Sequence, residues 1–457
     1  MSEQPVVPLV DAGLGNSAYL VDLGDGGAMV VDASRDLRAV RTAAEKRGLR
    51  VRYAVDSHLH ADFLSGARQL AVADGAVVLA SAAGRREFPH TGLADGDEVD
   101  LGGLRLRAIA TPGHTDEHLA FLLLDGDRPT GVFTGGSLIV GAAARTDLVD
   151  PTRTEELARA QYRSLQRLLA LPDDVEVWPT HGAGSFCSAP PGTERTSSIG
   201  VEKATNPLLR VADEDAFVTA LLGSLGSFPP YFRRLAEENR RGPAVIDEGP
   251  ALASVGAARV AQLLRDGALL VDTRPTAEFA AAHLPGSLSI PLRDAFATWL
   301  GWTVPHDRPL VVLRGEDQDP TEIAHQAAKI GYDNIVGELA GGIAAAITEG
   351  FPTKGTRLLR ADDVAVGDAR RLLDVRQRSE FAAGHLPGAD NVELGDLAGY
   401  PPAPAPAGTT VVMCQHGERA MTGASLLERA GQRNVAVMVG GPEDWATVHG
   451  ARLERGE

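Results

Sequence analysis

Glu380-Phe381, followed by His385-Leu386-Pro387-Gly388, repeats an earlier stretch of the same chain. The earlier copy is Glu278-Phe279 followed by His283-Leu284-Pro285-Gly286, at an offset of 102 residues. An internal repeat of that length predicts two copies of one domain in the C-terminal half. Each copy alternates strand and helix patterns, which is typical of a parallel sheet with helices on both faces.

A cysteine stands at the end of a predicted strand in the second copy. The strand Thr410-Val411-Val412-Met413 runs into Cys414-Gln415-His416-Gly417-Glu418-Arg419, and we predict that a helix opens near Ala420. Loop amides and the positive end of a helix favour a thiolate, which can attack a sulfane sulfur and carry it as a persulfide. In the first copy the strand Leu310-Val311-Val312-Leu313 is followed by Arg314, so no thiol carrier is predicted there.

The second copy resembles the rhodanese family of sulfurtransferases. That family has a cysteine opening a six-residue loop, with glycine fourth and arginine sixth, where Gly417 and Arg419 stand here. The resemblance implies that Cys414 carries sulfur, and that Arg419 and His416 help to bind an anionic sulfur donor or acceptor beside Gly417. It also implies that the first copy is catalytically silent and has a packing or docking role. The histidines shared by both copies, His283 and His385, are predicted to be structural.

Histidines follow successive predicted strands in the N-terminal half. The string Ser57-His58-Leu59-His60-Ala61-Asp62 follows the strand Val51 to Val55, and His114 and His181 each follow another β-type run. Two imidazoles and a carboxylate at one strand end can face one metal ion. Four such imidazoles at strand ends predict a convergent site.

These strings resemble the metallo-β-lactamase superfamily and, within it, the persulfide dioxygenases of bacterial fusions that carry rhodanese domains. The strings are Ser65-Gly66-Ala67, Thr111-Pro112-Gly113-His114-Thr115, Phe133-Thr134-Gly135 and Arg145-Thr146-Asp147. The resemblance implies one ferrous ion held by two histidines, matched by His58 and His114, and an aspartate. It also implies a substrate-binding arginine, matched by Arg145.

Two positions depart from that pattern. The aspartate expected after Gly135 is Gly136, and the histidine expected after Asp62 is Phe63. Loss of a carboxylate ligand predicts weaker metal binding. His60 can complete a three-histidine site for Fe²⁺ or Zn²⁺ with His58 and His114, while Asp62 and His181 can form a second, weakened site.

We predict three domains and a multidomain α+β and α/β fold. Residues 1–245 form a metallo-β-lactamase αββα sandwich, residues 252–353 a rhodanese-like domain without the catalytic cysteine, and residues 357–457 a rhodanese domain with Cys414. A proline-rich loop lies at 400–406. Helical periodicity is clearest at Glu155 to Leu169 and Asp213 to Asn239.

Composition limits the partners. A net charge of −17 argues against nucleic acid and anionic lipid. The chain has no apolar run long enough for a membrane span and no signal-peptide pattern, which predicts a cytoplasmic protein. Its two cysteines, Cys187 and Cys414, cannot form a disulfide framework. Cys187, six residues beyond His181, either lies near the metal region or is simply a buried residue, and we favour the second alternative. Related fusions make a homo-oligomer the expected assembly.

Three enzymatic functions stay open, and a non-enzymatic sulfur-binding module is the remaining alternative. The first is a bifunctional enzyme that oxidises a low-molecular-weight thiol persulfide with oxygen to sulfite, and moves sulfane sulfur among persulfide, sulfite and thiosulfate through Cys414. The second is a sulfurtransferase with a degenerate metal domain. The third is a zinc-dependent thioester hydrolase of glyoxalase type, which the absence of a carboxylate at Gly136 and the presence of Phe63 both disfavour.

Overall fold

The computed structural model describes residues 5–187, 193–246, 250–365, 371–399 and 408–456. The proline-rich stretch 400–406 lies outside them. The chain divides into two compact units. The first is Met1–Glu248 with Ala328–Gly331, and the second is Gly249–Ala327 with Tyr332–Glu457.

Two six-stranded sheets form the first unit. The first sheet has the order β1-β2-β3-β4-β5-β6, and the second has the order β12-β11-β10-β9-β8-β7. The strands of the first sheet are β1 Val6–Asp11, β2 Asn16–Asp22, β3 Gly27–Val31, β4 Arg50–Val55, β5 Val77–Ser81 and β6 Thr91–Leu93. Those of the second sheet are β7 Glu98–Asp100, β8 Leu104–Ala110, β9 Leu119–Asp125, β10 Arg128–Gly135, β11 Glu176–Pro179 and β12 Ser197–Ser198.

Six α-helices accompany these sheets in the described part of the first unit. They are α1 Arg38–Lys46, α2 Ala67–Asp74, α3 Thr154–Leu169, α4 Ile199–Thr205, α5 Glu214–Gly223 and α6 Phe232–Arg241. The expected helical segment from Asp213 to Asn239 is therefore two helices. Pro229 and Pro230 stand between them, and proline disfavours helix in the residue before it and removes a backbone donor.

Strand β9 shows how the layers stack. Its side chains alternate between two faces, as in any strand. Phe121 and Leu123 join the apolar core between the two sheets. Leu122 and Leu124 join the core under α3 and α5. Because a third core fills the space between the first sheet and the helices α1 and α2, the order of layers is helix, sheet, sheet, helix. The predicted αββα sandwich is confirmed.

The second unit holds two five-stranded sheets of one design. The first copy has the order β13-β17-β16-β14-β15, the second has β18-β22-β21-β19-β20, and all pairs are parallel. Helices flank both, which confirms the predicted α/β repeat. The first copy comprises β13 Ser254–Val255, α7 Ala257–Arg265, β14 Leu269–Asp272, α8 Thr276–Ala281, β15 Leu288–Ser289, α9 Phe296–Thr303, β16 Leu310–Leu313, α10 Pro320–Lys329, β17 Ile335–Leu339 and α11 Gly342–Thr348.

The second copy places the predicted catalytic loop after its middle strand. The loop begins directly after β21 and leads into α13, which starts two residues before the predicted Ala420. The second copy comprises β18 Arg357–Arg360, β19 Arg371–Asp374, α12 Arg378–Ala383, β20 Asp390–Asn391, β21 Thr410–Met413, α13 Glu418–Arg429, β22 Val435–Val439 and α14 Pro442–His449. Among the described residues, no helix has the length and apolar character needed to cross a bilayer.

Candidate functional site

Four predicted ligand histidines meet where strands of the two sheets end. His58 and His60 follow β4, His114 follows β8, and His181 follows β11. All four are buried. The ring centroids are 4.1 Å apart for His58 and His60, 4.8 Å for His58 and His114, and 5.3 Å for His114 and His181. The first unit therefore contains one buried cluster of imidazoles.

Hydrogen bonds fix the proton position on His58. Burial alone would raise the pKa of Asp32, but His60 and the hydroxyls of Thr180 and Ser57 hold that pKa well below its usual range. Asp32 is therefore a carboxylate that accepts the Ser57 hydroxyl proton, at 2.7 Å. The Ser57 oxygen then accepts from Nδ1 of His58, at 2.9 Å. Burial and the neighbouring histidines lower the pKa of His58, so its Nε2 carries a lone pair rather than a second proton.

His114 is held in the same tautomer. Its Nδ1 lies 2.7 Å from the carbonyl oxygen of Arg145, which can only accept, so Nδ1 carries the proton. Burial, together with His181, lowers the pKa of His114 to about 3. Because a second proton is excluded near neutral pH, Nε2 of His114 also keeps its lone pair.

His181 has acidic and amide partners. Its Nδ1 lies 3.0 Å from Oδ1 of Asn16 and 3.3 Å from Oδ2 of Asp62. Burial alone would lower the pKa of His181, but the hydrogen-bonded Cys187 and Asp62 raise it well above the usual value. Its Nε2 lies 3.4 Å from Nε2 of His58. Asp62 accepts from Asn16 through Oδ2 at 2.8 Å, while its buried Oδ1 has no hydrogen-bond partner.

His60 presents another unpartnered atom. Its Nε2 lies 3.1 Å from Asp32, and its buried Nδ1 has no hydrogen-bond partner. Potential ligand atoms of His58, His60 and His181 lie within 4.8 Å of one another, and so do those of His114, His181 and Cys187. His181 thus belongs to both groups.

Gly136, where a carboxylate was expected, leaves no free space for one. A Cβ atom on Gly136 would lie 2.4 Å from Cδ2 of His114. The amide of Gly136 donates to Nε2 of His118 at 3.0 Å, and Nδ1 of His118 lies 2.8 Å from the Thr111 hydroxyl. His118 was not among the predicted site residues, although its spacing of four residues from His114 was a visible signal.

Phe63 and Arg145 are both buried beside the cluster. The Phe63 ring stacks on His60 with centroids 4.2 Å apart. The Arg145 guanidinium makes two hydrogen bonds to Asp147, at 2.7 and 2.8 Å, and donates to the carbonyls of Phe186 and Gly226. The side chain of Arg145 thus holds the protein's own loops, and its predicted contact with substrate stays a prediction.

A pocket of about 400 Å³ opens beside the imidazole cluster. Leu59, which separates His58 from His60, lies in its wall, and the backbone amide of Leu59 donates to Glu117 at 2.8 Å. Charged groups of both signs complete the lining: Arg85, Asp116, Glu117 and Arg240.

The predicted nucleophile of the second unit is a buried free thiol. The backbone amide of Gly417 donates to Sγ of Cys414 at 3.1 Å. Gly417 has φ of 100°, a conformation that side chains rarely adopt, and it caps the N-terminus of α13. An N–H donor and the positive end of α13 thus face the sulfur.

Arg419 is fixed beside this thiol, whereas His416 is exposed on the loop. The Arg419 guanidinium makes two hydrogen bonds to Glu380, at 2.6 and 2.8 Å. It also lies over the ring of Trp299 from the first copy, 5.7 Å from the centroid. Burial alone would lower the pKa of Arg419, but Glu380 and Cys414 raise it. Trp299 was not among the predicted site residues.

Known families match both units. The metallo-β-lactamase superfamily matches residues 11–181, and the rhodanese-like domain family matches residues 256–348 and 357–447. The chain is 30% identical to a hydroxyacylglutathione hydrolase from Methylococcus capsulatus over 50% of this chain and 93% of the relative. It is 29% identical to the human mitochondrial persulfide dioxygenase ETHE1 over 40% of this chain and 65% of the relative. The alignment covers only 62% of two further hydrolases from Cereibacter sphaeroides.

One solved structure extends the likeness beyond the first unit. A metallo-β-lactamase from Staphylococcus aureus superposes with a TM-score of 0.66 at 27% identity. The superposition covers 73% of this chain and 98% of that one.

Proposed function

Because the chain belongs to the metallo-β-lactamase superfamily through its first unit and carries two rhodanese-like domains, we propose that it metabolises sulfane sulfur, with Cys414 as the sulfur-carrying nucleophile. The observation that carries this proposal is the contact of the Gly417 amide with the Cys414 sulfur at the start of α13. Such a donor stabilises a thiolate and, after reaction, the terminal sulfur of a persulfide.

The transfer step needs no external oxidant. The Cys414 thiolate attacks the outer sulfur of thiosulfate, the sulfur–sulfur bond of thiosulfate breaks, and sulfite leaves with the electron pair. An acceptor such as a thiolate or sulfite then attacks the terminal sulfur of the Cys414 persulfide. The new sulfur–sulfur bond forms in the product, and the Cys414 thiolate is restored.

The charged side chains of the loop suit anionic substrates. Arg419 supplies a fixed positive charge near the sulfur because Glu380 holds its orientation. His416, exposed on the same loop, is proposed to contact the outer part of the anion. Thiosulfate, sulfite and a low-molecular-weight persulfide are therefore the proposed ligands.

The residues of the first unit fit a divalent metal. Nε2 of His58 and of His114 carry lone pairs in the cluster, and the buried Nδ1 of His60 and Oδ1 of Asp62 lack hydrogen-bond partners. Such atoms are costly to leave unsatisfied, and together they are ligands that Fe²⁺ and Zn²⁺ both accept. We propose that His58, His60, His114, Asp62 and His181 supply the ligands.

A bound ferrous ion would supply the redox chemistry by which a thiol persulfide, oxygen and water yield thiol and sulfite. The protein's own contribution is orientation: Ser57 and Asp32 fix the ring of His58, and Asn16 fixes Asp62 and His181. The pocket at Leu59 is the proposed entry for the thiol carrier, and its mixed charges suit a zwitterionic thiol. We propose two roles for Arg145: it keeps the loops around this site in place, and it contacts the substrate directly.

Oxygen consumption tests this half of the proposal. Iron-loaded protein supplied with a small-molecule thiol persulfide is expected to consume about one oxygen per persulfide, by the reaction's balance. The Cys414→Ser variant should retain the uptake, and His58→Ala should lose it. No uptake by iron-loaded wild type, with sulfur transfer intact, would leave a sulfurtransferase whose first unit is a scaffold.

A zinc-dependent thioester hydrolase is the second candidate. The hydrolase relatives favour it, since one is 30% identical over 93% of its length. Phe63 disfavours the hydrolase function. Its ring stacks on His60, at a position where a second metal ion would need another imidazole ligand. Hydrolysis of a glutathione thioester that survives Cys414→Ser would support this function.

We further propose a reducing, cytoplasmic setting and a homo-oligomer. Cys187 and Cys414 are both free, as thiol chemistry requires. Sedimentation of the purified chain at several concentrations tests the oligomer, which a single monomeric species would contradict.

A further inference from the structure

Cys187 lies in the imidazole cluster rather than in an inert core. Cys187 is 1% exposed. Its sulfur and the ligand nitrogens of His114 and His181 all lie within 4.8 Å of one another. Three donors at such separations can meet one cation after small shifts of their side chains. A buried cysteine with only apolar neighbours would offer no such set.

One residue holds two members of this set. The backbone amide of Arg145 donates to the carbonyl of Cys187 at 3.2 Å, and the backbone carbonyl of Arg145 accepts from His114 at 2.7 Å. The Arg145 guanidinium also donates to the carbonyl of Phe186 at 3.0 Å. Supporting contacts of this kind orient ligands in metal sites.

The position of a lost carboxylate is filled by His114. Because a Cβ on Gly136 would lie 2.4 Å from the His114 ring, the ring stands where an aspartate side chain would begin. Without Cys187, the imidazoles of His114 and His181 would supply no negative charge to balance the two positive charges of a cation bound between them. The thiolate of Cys187 would supply one negative charge.

We propose that the Cys187 thiolate, with Nε2 of His114 and of His181, forms a site for a borderline divalent cation such as Zn²⁺, Fe²⁺ or Co²⁺. The sulfur replaces the anionic ligand that the superfamily's carboxylate would supply. Binding forms a metal–sulfur bond and two metal–nitrogen bonds, and it releases to solvent the protons held by the thiol and by Nε2 of His181, with no change of oxidation state. The thiolate disfavours Mg²⁺ and Ca²⁺, which prefer oxygen ligands. This inference rests on the proposed metal centre but not on the proposed reaction.

Cobalt spectroscopy on the full chain tests the site. A thiolate bound to Co²⁺ produces a sulfur-to-metal charge-transfer band, whereas imidazole ligands do not. We expect this band in wild type and in Cys414→Ser, which keeps Cys187 as its only thiol, and its absence in Cys187→Ser. Chelator competition should show that Cys187→Ser weakens cobalt binding by at least roughly tenfold.

Two outcomes of the comparison between the cysteine variants would overturn the proposal. One is cobalt bound to Cys414→Ser without the band, and the other is a band that disappears in Cys414→Ser but persists in Cys187→Ser. If Cys187→Ser fails to fold, the spectrum of Cys414→Ser alone decides. Because oxygen uptake is not measured, a band without dioxygenase activity would retain this site and reject only the proposed reaction.

Introducing a carboxylate at position 136 tests whether Cys187 replaces the missing ligand or whether the site has simply lost one ligand. If the metal site had merely lost its ligand at position 136, Gly136→Asp would strengthen cobalt binding. We expect the opposite, at least a severalfold weakening, because the new side chain would displace the His114 ring. Tighter binding by Gly136→Asp, together with loss of the band, would contradict the role of Cys187.

Discussion

The two rhodanese-like copies share a scaffold and differ in the loop that follows the middle strand. In each copy an arginine holds the preceding aspartate, through Arg274 and Asp272 in the first and Arg376 and Asp374 in the second. His283 stacks on Phe279 with centroids 4.0 Å apart, and His385 makes the same stack with Phe381, at 3.6 Å. The repeated signature therefore has a structural role even where no thiol is present.

The loop of the first copy is filled by its own side chains. Arg314, in the place of Cys414, pairs with Glu338 and donates to the carbonyls of Gly315 and Gln318, both at 3.0 Å. The Gln318 side chain accepts the Gly315 amide at 2.9 Å. In the second copy, the amide of Gly417 donates to the Cys414 sulfur instead. The loop of the first copy is thus satisfied by a different set of hydrogen bonds, and it is more than the loop of the second copy without its thiol.

The sixth loop position sharpens this contrast. Arg419 pairs with Glu380 in the second copy, whereas Asp319 in the first copy accepts from the Thr321 amide at 2.8 Å at the start of α10. Glu278, the counterpart of Glu380, is exposed. The first copy therefore lacks the fixed cation as well as the thiol, and both differences support the prediction that it is silent.

The largest expected effect comes from exchanging the two loop-opening residues for serine. Cys414→Ser should lower sulfur transfer from thiosulfate to cyanide by at least roughly a thousandfold, because the nucleophile is removed. Arg314→Ser in the first copy should leave the rate within about twofold. Equal losses in both variants would show that the first copy takes part in the chemistry.

The ion pair of the silent loop should matter for stability instead. Arg314→Ala leaves Glu338 and several carbonyls without their partner, so we expect the free energy of unfolding to fall by about 1–3 kcal/mol. Denaturant titration measures it. Arg314→Cys should give no persulfide on the first copy, and formation of one would show that the loop needs only a thiol.

Removing the carboxylate that holds Arg419 tests the second difference. We expect Glu380→Gln to lower kcat/KM for thiosulfate by about tenfold, because Arg419 loses two hydrogen bonds that orient it. Glu278→Gln, at the exposed counterpart, is the matched control and should change the rate less than twofold. A similar loss in both variants would contradict a specific role for the Glu380 pair.

The same pair predicts a smaller, pH-dependent effect on stability. Burial alone would raise the pKa of Glu380, but Arg419 holds it below its ordinary 4.5. A lowered pKa stabilises the fold above about pH 4.5, and this contribution is lost as pH falls through the folded value. The stability difference between wild type and Glu380→Gln should therefore shrink in acid. A difference that grows in acid would have the wrong sign.

The features that depend on neighbouring residues in the sequence could be predicted from sequence patterns. The strands before Cys414 and Arg314 were predicted at their observed residues, because short apolar runs bounded by turns are typical of buried parallel strands. The histidines were predicted to converge because each follows a strand. The placement of Cys187 could not be inferred in this way, since it depends on a turn after His181 and on backbone contacts of Arg145, a residue distant in sequence. Trp299 beside Arg419 likewise depends on the packing of one copy against the other.

The most direct test of the central claim is mass spectrometry of the chain after exposure to thiosulfate, with both rhodanese-like copies recovered as peptides. The account predicts a gain of one sulfur atom on the peptide that contains Cys414, its removal by a thiol, and no gain on any peptide of residues 252–353. A chain that turns over thiosulfate without sulfur on Cys414, or with sulfur bound elsewhere, would contradict it.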